Sequence, residues 1–182
     1  RFLNYKNNHE NHIGYYYCSL ESVSLMAEIG GIDWVIHTNI YGQHMGFNGQ
    51  HMGFYGPMPI ESIKFLVNLG GSSWINQVDI HGRHMGFCHR GNLEIMKFLI
   101  EVGGPSWVCQ KNNYGWHMGF YTNNDEVMRI MGESGGPPFV RYTDKKGRHM
   151  GFFIESKEQL DLLMKVGGPE WVNHKDDEGN KM

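Results

Sequence analysis

His84-Met85-Gly86-Phe87 is one of five copies of a four-residue phrase, the others opening at His44, His51, His117 and His149, and the spacing of these copies decides the fold. From His51 onward the histidines stand 33, 33 and 32 residues apart, and a looser copy, His12-Ile13-Gly14-Tyr15, lies near the start. Self-similarity at a fixed period of this size predicts stacked two-helix repeats, each packing only on its neighbours. The reading is one repeat array over 1–182, with a partial repeat 1–33, full repeats 34–73, 74–106, 107–138 and 139–170, and a partial repeat 171–182.

Working outward from His84, the residues before it form a turn: Asp79 is followed three residues later by Gly82, as Asn39 is by Gly42, Asn112 by Gly115, Asp144 by Gly147 and Asp176 by Gly179. An Asx residue so placed favours a tight turn. The phrase then makes a short first helix over 84–89. Its glycine, costly in a helix, implies that a neighbouring backbone passes too close for a methyl group. A second helix starts at the N-cap Asn92, with Glu94 at its positive end, and the counterparts are Ser19, Pro59, Asn124 and Ser156. Met96, Phe98, Leu99 and Val102 then keep helical spacing. Gly103-Gly104 is expected to end the helix, the first glycine acting as the left-handed cap, and Pro105 to forbid continuation. A large aromatic follows each glycine pair at one fixed place: Trp34, Trp74, Trp107, Phe139 and Trp171. A ring that recurs there is read as a plug between repeats.

Gly91-Asn92-Leu93-Glu94-Ile95-Met96-Lys97-Phe98-Leu99-Ile100-Glu101-Val102-Gly103 resembles the second helix and terminal glycine of the ankyrin repeat, and Glu61 to Gly70 is similar to it. The family's Thr-Pro-Leu-His opening is missing, and the phrase sits about two residues closer to the turn glycine than that family's first helix. The resemblance implies an all-α solenoid of stacked helix-turn-helix repeats, ankyrin-like, with long aromatic-plugged loops. One irregularity interrupts the period, because Gly42 to Asn48 is nearly repeated by Gly49 to Tyr55. Since His51 keeps the 33-residue spacing to His84, the copy at His44 is read as the insertion.

Composition narrows the function classes. Hydrophobic residues at 40% and aromatics at 13% suffice for a continuous core, and the net charge of −3 gives no footprint for nucleic acid. No apolar run approaches the roughly 20 residues that span a bilayer, so no membrane is expected. Cys18, Cys88 and Cys109 fall at unlike places in their repeats, which points to free thiols in a reducing, cytoplasmic compartment. The chain opens in the aromatic slot and stops where a further His-Met is due, so it is expected to be a piece of a longer array or to be covered by other copies.

No nucleophile, base and orienting acid repeat together, no phosphate loop is present, and no cofactor is implied, so the chain is read as no enzyme. His51, His84, His117 and His149 are assigned to packing, with Trp34, Trp74, Trp107 and Trp171. Equivalent residues in neighbouring repeats lie roughly 10 Å apart, too far to share one zinc ion, which leaves metal binding as a weak alternative. Recognition is expected where the repeats differ: Tyr41, His81, Arg83, Tyr114, Trp116, Lys145, Lys146 and Arg148, at the turn tips and just after them. The expected function is a protein-binding scaffold using turn tips and first helices, with end-to-end self-assembly as the alternative. Replacing Trp116 and Arg83 by alanine is expected to weaken binding at little cost in stability.

Overall fold

A computed structural model describes residues 5–12, 15, 19–44, 58–154 and 156–181. Among these the structure is all-α: six α-helices, short 3-10 turns and two isolated β-bridges, with no strand. No helix there is long and apolar enough to cross a membrane. The chain divides into two compact units, residues 1–89 and 90–182. The first holds α1 (Leu20–Val35), α2 (Ile60–Ile75) and the short α3 (Gly86–His89), and α1 packs on α2. The second holds α4 (Leu93–Val108), α5 (Asp125–Arg141) and α6 (Lys157–Gly167), with α5 packed between the other two.

The long helices begin where the sequence places them. The Asn92 side chain accepts a hydrogen bond from the Ile95 amide, Asn124 from Val127, Ser156 from Gln159 and Ser19 from Ser22, so each satisfies one of the orphan donors of a helix start. Pro59 supplies no such bond and offers only its preset φ of −58°. From Asn92 onward α4 buries Ile95, Met96, Leu99 and Ile100, a stripe at helical spacing, and α4 packs on α5.

The glycine pairs act differently from expectation. The first glycine stays helical, and its site is closed by the plug itself: a Cβ on Gly103 would lie 2.6 Å from the Trp107 ring, and one on Gly135 would lie 2.6 Å from the Phe139 Cβ. The second glycine turns the chain, with φ of 70° at Gly104. Pro105 does not stop the helix. It opens a new helical turn after the kink, where a missing N–H costs nothing, and that turn carries Trp107 and Val108 into the core. The plugs of α1, α2, α4 and α5 therefore sit on short helical turns and not in long loops; Trp171 sits on the 3-10 turn Trp171–Asn173. Trp74 and Phe139 are 0% exposed, and burying a ring of this class is worth roughly 4 to 6 kcal/mol of gross transfer free energy.

The phrase itself forms α3 in one copy and the 3-10 turns Met118–Tyr121 and Met150–Phe153 in two others. In the copy at 117–120 the glycine is confined by side chains, not by a passing backbone. A Cβ on Gly119 would run into the Phe139 ring, and it would lie 2.9 Å from the Met150 Cε. The plug at the end of the neighbouring helix is thus what keeps residue 119 a glycine.

Candidate functional site

The turns share one hydrogen-bond frame. In 79–83 the Asp79 amide donates to the Arg83 carbonyl (2.9 Å) and the Gly82 amide to the Asp79 carbonyl (2.8 Å). The Asp79 Oδ1 accepts from the amides of His81 and Arg83, both at 2.9 Å. The same frame stands at Asn39, Asn112, Asp144 and Asp176. Gly42, Gly82, Gly115, Gly147 and Gly179 take the positive φ that the fourth position requires. A further turn, missed in the sequence, is built on Asn7, whose Oδ1 accepts from His9 and Asn11. Its fourth residue is Glu10 at φ of 59°, so the glycine that marks the others is absent. Within the first unit the tips are tied to one another, Ile40 N to His9 O and Ile80 N to Tyr41 O; in the second, Asp177 N is tied to Lys146 O. With Oδ1 and both backbone strands engaged, the frame leaves the two tip side chains of each turn outside it.

A buried histidine follows each turn, at His12, His44, His84, His117 and His149, none more than 1% exposed. In His84, His117 and His149 the Nδ1 accepts from the glycine amide two residues on, at 3.1 Å each time. The rings lie against the plugs: His12 on Trp34, His44 on Trp74, His117 on Phe139 and His149 on Trp171, with centroids 4.2 to 4.4 Å apart. His12 Nε2 meets the Trp34 carbonyl at 3.1 Å. His117 and His149 face the carbonyls of Phe139 and Trp171 without reaching full hydrogen-bond geometry. Burial pushes the pKa of His44, His84 and His117 down to about 3, and that of His12 and His149 to about 4. These neutral imidazoles are mortar between turn, glycine and plug.

His51 lies outside the described residues. The place that the other phrase histidines hold, directly after a turn and beside a buried plug, is held in this repeat by His44, on Trp74. The extra seven residues therefore fall after the repeat position, within 45–57, and not before it. The interval of 40 residues from His44 to His84 is the period plus those seven. Reading the period backwards from His84 could not locate them, because both copies carry the same phrase. Cys88 and Cys109 are not joined in a disulfide, and Cys18 is outside the described residues.

In the first unit the tips come together. Tyr41, His81 and Arg83 line one open groove of about 330 Å³ with His9, Gln43, Asp79 and Ile80. No protein-family model matches the chain, and no curated protein shows significant similarity to it. Tyr41 is 40% exposed and stacks on His9 at 5.9 Å, and Ile80 is 57% exposed.

Arg83 has a second duty. Its Nε and Nη2 donate to Asp79 Oδ2 at 2.9 and 2.7 Å, and the Asp79 side chain is fully buried. Arg148 repeats this on Asp144 at 3.0 and 2.7 Å. Burial raises the Asp144 pKa, but Arg148, the amides of residues 146 and 148 and the Trp116 indole outweigh it and hold the carboxyl below its usual range. Truncating Arg83 would leave the buried Asp79 Oδ2 without these donors, at a cost of about 1 to 3 kcal/mol, whereas at Asp144 the Trp116 indole still donates to Oδ2. Arg83→Ala is therefore a stability variant as well, contrary to the expectation from sequence. In the second unit Trp116 donates its indole N–H to Asp144 Oδ2 at 3.2 Å and is half-buried, while Tyr114, Lys145 and Lys146 are exposed.

Proposed function

We propose that the chain is a non-enzymatic protein-binding scaffold, built as an ankyrin-like solenoid of helix-turn-helix repeats and recognising its partner through turn tips. The observation that carries this reading is the groove over three successive tips of the first unit, with side chains that differ from turn to turn on one fixed backbone frame. A constant frame with varied tips suits recognition, because tip residues can change at little cost to folding. Large amphipathic rings such as Tyr41 are the usual anchors of interfaces.

Panning a random-peptide library on the chain is expected to enrich binders, and Tyr41→Ala with His81→Ala to abolish a share of them while the melting temperature stays nearly constant. Failure to enrich any binder contradicts the reading.

A second reading, association between copies, is favoured by one apolar stripe. Leu25, Ile29 and Ile32 on α1 are 57%, 67% and 48% exposed. Ile29 stands where α6 carries Val166, counted from the N-caps Ser19 and Ser156, and Val166 packs beside Gly132 of the preceding helix α5, 3.7 Å from the site of a Cβ there. We read the α1 stripe as a contact surface for a helix of a second copy. Sedimentation velocity is expected to show concentration-dependent association that Ile29→Asp removes; a strictly monomeric chain over a wide concentration range excludes this reading.

A further inference from the structure

One face of the second unit carries features that the histidine scaffold does not require. Trp116 stacks nearly parallel on Phe120 at 5.7 Å, and Phe153 lies 5.5 Å from Trp116 and 5.7 Å from Phe120. Phe153 is 39% exposed and Tyr114, at the adjoining tip, 58%. The bond from the Trp116 indole to Asp144 and the Arg148 guanidinium 4.7 Å over Phe153 fix these rings, so they offer apolar area at little further entropic cost. In other turns the position of Trp116 holds Gln43, Arg83, Arg148 and Asn180, so packing does not demand an indole there.

Charge adds direction. Lys145 and Lys146 occupy the next tip, both exposed and in no ion pair among the described residues. A Cβ on Gly115 would lie 3.6 Å from the Lys145 amide nitrogen, which places this tip directly beside the 112–116 turn. The other tips are neutral except the last, where Asp177 and Glu178 are exposed and Asp177 N bonds to Lys146 O. An aromatic floor, a basic tip and an acidic tip therefore follow one another across this unit.

We propose that this face binds a short peptide segment in which an apolar or aromatic side chain stands beside Asp or Glu residues, the ring or alkyl group on Trp116, Phe153 and Tyr114 and the carboxylates at Lys145 and Lys146. The proposal rests on the protein-binding reading and gives it a partner chemistry. A polyphosphate backbone fits less well, because the carboxylates of Asp177 and Glu178 adjoin the lysines and repel it. A peptide of limited length can end its acidic run at the lysines.

The test is fluorescence anisotropy on the full chain with three probes: a labelled peptide with Trp and Leu between Glu residues, its mirror with Lys for Glu, and a single-stranded oligothymidylate. The acidic peptide is expected to bind, to weaken with added salt, and to weaken about tenfold with Lys145→Glu and Lys146→Glu together, at an unchanged melting temperature. Binding of the lysine peptide or the oligonucleotide as tightly as the acidic peptide overturns the assignment, as does indifference to the charge reversal. If the acidic peptide fails while library peptides still bind through Tyr41 and His81, this assignment falls and the scaffold reading stands. If neither binds, both fall.

Discussion

Lowering the pH from 7 to about 5.5 is expected to cost each unit a large part of its stability, well before any carboxylate is protonated. His44, His84 and His117 have their pKa depressed to about 3 by burial, below the value of 6.5 that an imidazole has in the unfolded chain. The unfolded state therefore binds protons that the folded state refuses. Stability is fully present above about pH 6.5 and is lost as the pH falls from there towards 3, the sign expected for a histidine buried neutral. At pH 5.5 each such ring costs about 1.4 kcal/mol, a figure set by the unfolded pKa alone while the folded one lies far below. The first unit, with His12, His44 and His84, thus loses about 4 kcal/mol, against a stability of order 5 to 15 kcal/mol for a typical domain. Thermal melts at stepped pH read this directly, and a melting temperature unchanged between pH 7 and 5.5 would contradict it.

The second large effect belongs to the plugs. Trp74→Ala is expected to cost about 3 to 5 kcal/mol, since Trp74 is 0% exposed, rests on His44 at 4.2 Å and closes the site of a side chain at Gly70. The helical turn that carries it has nothing else of that volume to collapse onto. Tyr41→Ala, on the surface of the same unit, is expected to stay within about 0.5 kcal/mol. Denaturant unfolding of the two variants side by side measures the contrast. Equal losses would mean that the tip is part of the core.

Much of this architecture was legible in the sequence because its signals are local. Asn92 caps its helix, Asp79 nucleates its turn, and Met96 and Leu99 keep helical spacing, each within a few residues of its partner. Trp107 and Phe139 were legible as plugs because only a buried role explains a ring at one fixed place. The misreadings came where the deciding neighbour is distant in sequence or absent from the pattern. Gly119 is confined by Phe139, 20 residues on, so the reason for its small size could not be read from its own helix. Glu10 takes a left-handed conformation with no glycine to announce it. Arg83 and Arg148 looked like free surface charges, but the Asx residue that starts their turn is an aspartate, and its second oxygen claims the guanidinium. Where that residue is asparagine, position 43 or 116 is free to carry Gln43 or Trp116.

The repeated phrase is a packing device whose histidines are neutral, with Nδ1 accepting from the glycine amide and the proton on Nε2. Nitrogen-15 NMR of the imidazoles across pH 7.5 to 6 tests it most directly. His84, His117 and His149 are expected to show the Nε2–H tautomer and not to titrate while the chain stays folded. Rings that titrate near 6.5, or that carry the proton on Nδ1, would contradict it.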